Sequence, residues 1–164
     1  MHHITAEQFK QAMGSFPSGV TIVTARRPDG GLHGVTVSSF AALSLTPRLV
    51  SFAINQDGDS HTVLSAATHF AIHILGEGQE ALSSHFARQG QVWDGIGHSL
   101  DSAGLPVFAG TVARLSCRKV AQITPTHHPV GDHDILIGEL MAVATDPTRR
   151  PLLYFRGDYG TLAR

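Results

Sequence analysis

Short stretches of alternating apolar and polar positions, interrupted by glycine and proline, make up most of this 164-residue chain. The first element differs. Phe9, Ala12, Met13 and Phe16 fall at i, i+3, i+4 and i+7, and Thr5 and Gln8 have capping-box spacing, which predicts a helix ended by Gly14 and Pro17. Val20 to Ala25 is rich in β-branched residues and reads as a strand. The turn signal Pro28-Asp29-Gly30-Gly31 then predicts that the strand from Leu32 to Val37 returns beside it as a hairpin. Further strands are read at Ala41 to Leu45, Leu49 to Ile54, Phe70 to Leu75, Ile135 to Ala144 and Leu152 to Arg156. Ala113, Leu115 and Cys117 alternate with Arg114, Ser116 and Arg118, the pattern of a long strand with one wet face. Ser60 is placed to cap a short helix reaching about Ala67, and another helix is read from Gln79 to Arg88. Gln89 to Gly104 is glycine-rich and polar, a loop or lid with Trp93 as part of a mobile cover. Six to eight strands with few helices and no long helical crossovers predict a mainly β chain, an antiparallel barrel in one domain over residues 1–164.

Composition narrows the partners. Charged residues are 15% of the chain and apolar residues 42%, which fits a globular protein that covers part of its surface by self-association. The formal net charge is −1 with no block of Lys or Arg, so neither nucleic acid nor an anionic membrane is expected as partner. Cys117 is the single cysteine, so no intramolecular disulfide and no four-cysteine zinc site is expected, and a strand-borne Cys117 reads as a small packing residue. The N-terminus does not read as a signal peptide, and no apolar run approaches the ~20 residues of a spanning helix. A cytoplasmic location is expected.

Candidate chemistry concentrates where strands end. Gly34-Val35-Thr36-Val37-Ser38-Ser39-Phe40 runs a strand into consecutive hydroxyls. Donors fixed by a sheet lose little entropy on binding, which suits a flat, polar-edged, phosphorylated ligand; the plain alternative is a strand end whose hydroxyls satisfy a turn. Downstream, Ala53-Ile54-Asn55 is followed by Gly58-Asp59-Ser60-His61, and Gly131-Asp132-His133 opens a strand. In that tripeptide the Asp can orient the imidazole; the alternative is a tight turn with a solvated His133. A metal site built from His127, His128, Asp132, His133 and Asp134 fits no standard ligand spacing, and no metal is expected. His69 and His73 would stand about 13 Å apart along a strand, too far to chelate, and read as packing or surface residues. Neither Gly-x-Gly-x-x-Gly nor a Walker-type Gly-Lys-Ser/Thr occurs.

Taken in order, Phe16-Pro17-Ser18-Gly19-Val20-Thr21, the Gly34–Phe40 segment, Gly131-Asp132-His133 and Pro151 to Gly160 resemble the flavin reductase-like family over nearly the whole chain, about Phe9 to Leu162. The resemblance implies a split antiparallel β-barrel that binds FMN at a homodimer interface, with FAD as the other flavin. It implies NADH or NADPH as co-substrate, hydride transfer from nicotinamide to flavin, and delivery of reduced flavin to a separate monooxygenase. It assigns cofactor contacts to Ser18, Thr36, Val37, Ser38, Ser39, Phe40, Ala53, Asn55, Ser60, His61, Phe86, Arg88, Asp132, His133 and Tyr159, and gives His133 the catalytic part of positioning the dinucleotide. Relatives commonly carry Ser-x-Thr at the flavin phosphate, whereas this chain has Gly58 in the first hydroxyl position and keeps Ser60, flanked by Asp57 and Asp59. His61 or Arg88 would offset the lost hydroxyl, and the departure makes exchangeable flavin the expectation. The alternatives are a flavin carrier or sensor with little turnover, and a small-molecule-binding barrel without flavin.

Overall fold

The computed structural model describes residues 3–90, 92–124 and 131–163. Thr5 caps the first helix, α1 (Ala6–Gly14), and the full capping box with Gln8 forms as its spacing predicts. The strands that follow are β1 (Ser18–Gly19), β2 (Thr21–Arg26), β3 (Leu32–Val37), β4 (Ala41–Leu45) and β5 (Arg48–Asn55). Helix α2 (Asp59–Ala66), β6 (His69–Ile74) and helix α3 (Glu80–Phe86) come next. The last third holds β7 (Ser99–Leu100), β8 (Pro106–Val107), β9 (Ala113–Ile123), β10 (His133–Thr145), β11 (Leu153–Phe155) and β12 (Asp158–Gly160).

Seven strands form one antiparallel sheet in the order β3-β2-β6-β9-β10-β5-β4. Its two edges, β3 and β4, are consecutive in the chain and joined by residues 38–40. Among the described residues no ladder joins them, so the barrel stays split along this seam. Ser39 bridges the seam instead: its Oγ accepts from Ala53 N at 2.9 Å and donates to Ala53 O at 3.2 Å on β5.

The interior is an apolar cluster drawn from six of these strands and plugged by Val63 and Leu64 of α2. Phe52 and Phe70 meet edge to face inside it, with ring centroids 5.3 Å apart. Strand β2 is buried on both faces, and its outer face feeds a second cluster in which Ile22, Leu75, Phe86, Phe108 and Leu152 pack with Trp93. Trp93 is therefore a packed residue: its ring lies 5.0 Å from Phe86 and 6.0 Å from Phe108. Arg114, expected on a wet face, is held by Asp101 at 2.6 Å, which pins the loop before β8 to β9. His73 is fully buried against Phe108, and burial pushes its pKa down to about 3, so the ring is neutral. Cys117 faces the interior, where burial pushes its thiol up to about 12.

One predicted feature forms but stays uncovered. Phe9, Met13 and Phe16 are 59%, 57% and 78% exposed, and α1 buries none of its residues in this chain.

Candidate functional site

The seam opens into a groove of about 380 Å³, within the size range of small-molecule sites. One wall is the end of β3 and the turn after it, where Thr36, Val37, Ser38 and Ser39 line the opening. The facing wall is Ala53 to Asn55 of β5, with His133 beside it because β10 pairs His133 with Asn55. Asp57 to Ser60, at the start of α2, close one side, and Phe86 to Gly90, at the end of α3, close another.

Strand geometry decides which side chains stay free. Thr36 Oγ1 donates to Ser83 O at 2.7 Å, and both functions of Ser39 Oγ serve Ala53. Ser38 is exposed, and its hydroxyl makes no hydrogen bond among the described residues. Asn55 Oδ1 accepts from Asp57 N at 2.7 Å, which shapes the turn into α2. Gly34 is required beside this wall: a Cβ there would stand 2.6 Å from the Phe86 ring.

At α2, the N-cap is Gly58 rather than Ser60, and it makes no side-chain cap. Its φ of 126° is one that L side chains avoid, so the loop that lacks the family's first hydroxyl also takes a backbone form built for glycine. Ser60 lies in the first turn, where backbone N–H groups have no intrahelical acceptor and attract anions. Its Oγ is 3.0 Å from Nε2 of His33, a buried groove residue that sequence reasoning missed. Asp59 turns to Arg27, whose Nη1 donates to Oδ1 at 2.8 Å and whose Nη2 donates to Oδ2. That hydrogen bond holds the Asp59 carboxyl below the usual carboxylate range and neutralises the acid feared beside a phosphate. Arg88 and Gln89 line the groove nearby, Gln89 Nε2 standing 3.7 Å from where a Cβ on Gly58 would sit.

His133 is 48% exposed, and its Nδ1 lies 2.7 Å from Asp132 Oδ1. The carboxylate only accepts, so Nδ1 carries the proton. In that tautomer the accepting nitrogen is Nε2. The next residue points the other way, as strand alternation requires. Asp134 is 1% exposed and accepts from Gln122 at 2.6 Å, Gln56 at 2.8 Å, Thr124 at 3.0 Å and His61 at 2.9 Å. Desolvation pushes its pKa up, but hydrogen bonds from Gln122, Gln56, His61 and Thr124 outweigh it and hold the carboxyl far below its ordinary value.

Several expected contacts lie outside the groove lining. His61 is committed to Asp134 and cannot replace the lost hydroxyl from that position. Tyr159 directs its hydroxyl to Ser83 Oγ at 2.9 Å and packs edge-on against Tyr154. Ser18 sits in β1 opposite Tyr154 of β11, away from the seam. Phe40 packs against the interior cluster, and Asp132 reaches the groove only through His133. His127 and His128 lie outside the described residues; among the described residues, no three His, Cys, Asp or Glu side chains cluster for a metal. The signal that could have exposed Asp134 is an acid at a core-facing position of β10, beside Leu136. No comparable signal marks His33.

These features suit a flavin: apolar walls from Val35, Val37 and Phe86 for a flat ring, sheet amides at the seam, and helix-end donors for a phosphate. The chain is 40% identical over 97% of its length to an FMN reductase (NADH) of Agrobacterium fabrum, spanning 87% of that protein. It is 38% identical over 95% of its length to the reductase component of 4-hydroxyphenylacetate 3-monooxygenase of Thermus thermophilus, spanning 96% of it. The solved NADH:FAD oxidoreductase of Streptomyces globisporus superposes with a TM-score of 0.87 at 30% identity, covering 99% of this chain and 98% of that one. That oxidoreductase has also been solved in complex with NAD and FAD fragments. Residues 13–163 match the family described as flavin reductase like domain, and the chain belongs to that family.

Proposed function

We propose that this chain is an NADH-dependent flavin reductase that reduces FMN or FAD and supplies the reduced flavin to a separate monooxygenase. The observation that carries this reading is the seam groove itself, with strand-end hydroxyls and amides, an α2 terminus and a rim histidine around one opening. A bound flavin supplies the two-electron acceptor for reduced nicotinamide. The protein's part is binding and alignment, and hydride transfer needs neither a covalent intermediate nor a general base. Ser38 and the seam amides meet the polar edge of the ring, and the first turn of α2 with Ser60 holds the phosphate. Asp132 holds the His133 ring, so Nε2 accepts from an N–H of the nicotinamide carboxamide. Asp132, Thr36 and Ser39 act by shaping the site, and Arg88 lends positive charge near the phosphate.

We read residues 1–164 as one domain working as a homodimer in the cytoplasm, with no nucleic acid and no membrane as partner. The exposed face of α1, together with Leu43 and Leu45 of β4 and Met141 and Val143 of β10, supplies apolar surface for a second copy. Among the described residues, no helix is long and apolar enough to cross a membrane. Steady-state NADH oxidation with excess FMN or FAD tests the activity: wild type should exceed the uncatalysed rate, and His133→Ala should fall well below wild type. Flavin binding without turnover in wild type would favour the carrier instead, and sedimentation as a monomer would refute the dimer.

A further inference from the structure

Resting on the flavin reading, we infer that His33 is a positioning residue that frees the Ser60 hydroxyl to donate into the groove, and so makes the site select a flavin carrying a phosphate. His33 is 2% exposed at the base of β3, and both ring nitrogens are engaged. Nδ1 lies 3.2 Å from Nη2 of Arg27. A guanidinium has no acceptor, so this nitrogen accepts and the proton sits on Nε2. Among the described residues the rival partner of Nδ1 is Asp59 Oδ2, farther away at 3.5 Å and itself accepting from the same Arg27 Nη2, so the nearer guanidinium decides the tautomer. Nε2 therefore donates across 3.0 Å to Ser60 Oγ. Ser60 Oγ accepts this bond, so its own O–H is not spent on His33, and no other hydrogen bond claims that proton among the described residues.

The arrangement answers the missing hydroxyl at position 58. A serine there would have to adopt the φ of 126° held by Gly58, whereas the chain Arg27–His33–Ser60 strengthens the hydroxyl that remains. Burial, followed by the charge of Arg27, holds the His33 pKa below its ordinary value, consistent with a single neutral tautomer. A phosphate monoester only accepts at neutral pH and matches a committed donor. Riboflavin offers a terminal hydroxyl and gains much less from it.

FMN and riboflavin are titrated into the full chain, following flavin fluorescence and the emission of Trp93, whose ring lies 5.0 Å from groove-lining Phe86. Ser60→Ala should lower the preference for FMN over riboflavin about tenfold, the scale of one charge-assisted hydrogen bond. His33→Leu should lower it equally, and the double variant should fall no further, because both act through one bond. His33→Gln, which keeps an N–H for Ser60, should retain most of the preference. The inference is overturned if His33→Leu keeps the wild-type preference, if the two losses multiply, or if both flavins weaken alike. A wild type that binds neither flavin would remove the flavin reading as well. One that binds and reduces both, with the preference of His33→Leu, would defeat the relay alone.

Discussion

The buried side of the groove and its rim each hold a histidine wired to a neighbour, but in opposite senses. His33 accepts at Nδ1 and donates at Nε2, and Arg27, Ser60 and the sheet enclose it. His133 donates at Nδ1 to Asp132, which makes Nε2 the accepting nitrogen, and half of its side chain lies in solvent. The two carboxylates of the β10 start divide in the same way: Asp132 is 79% exposed, while Asp134 is enclosed by four donors. Burial turns a polar group into a fixed part of the fold, since breaking its bonds leaves unpaired charge or lone pairs in the interior. Exposure leaves a group free to meet a ligand that comes and goes. Substitutions on the buried side should therefore cost stability, and substitutions at the rim should cost turnover.

The sharpest break of that contrast is Asp134→Ala. It removes the acceptor shared by Gln56, His61, Gln122 and Thr124, and should cost about 3 kcal/mol in denaturant unfolding. The same carboxylate predicts an acid limb. Its native pKa is depressed, so its contribution is complete above the unfolded value of about 4 and drains away as pH falls toward the native one. Below about pH 4 the stability of wild type should drop more steeply than that of Asp134→Asn, which has no such proton to take up. Parallel curves would dismiss this carboxylate as the source.

Gly34→Ala comes next. Its Cβ would press on Phe86 at 2.6 Å, so about 2 kcal/mol of destabilisation is expected, along with a displaced groove wall. Crossing to the rim, His133→Ala should leave the melting temperature in place and lower kcat/KM for NADH about tenfold, the loss of one positioning contact. A fall in melting temperature as large as that of Gly34→Ala would erase the contrast between the two sides. Smallest is Asp132→Asn, with roughly a twofold rise in KM for NADH and unchanged unfolding, as befits an exposed pair.

Much of the molecule could be read along the chain. The capping box of α1, the β2–β3 hairpin and the alternation of β9 and β10 rest on contacts between near neighbours or on period-2 burial, which sequence displays directly. Where reading failed, the competing group was remote. Ser60 looked like an N-cap because its partner His33 lies 27 positions away, and His61 looked like a ligand donor because Asp134 lies 73 positions away. Trp93 looked like a loose cover because the rings that hold it, Phe86 and Phe108, flank its polar loop from outside.

By itself, the order of residues determined the strand content, the capped start of α1, and the ordered segments that mark the family, because propensity and alternation act over a few residues. Tertiary structure alone decided where the sheet fails to close and which hydroxyls at that seam are already spent. A side chain's donor or acceptor role is fixed by whatever the fold brings within hydrogen-bonding reach of it, and for Ser60 and His61 those partners come from distant strands.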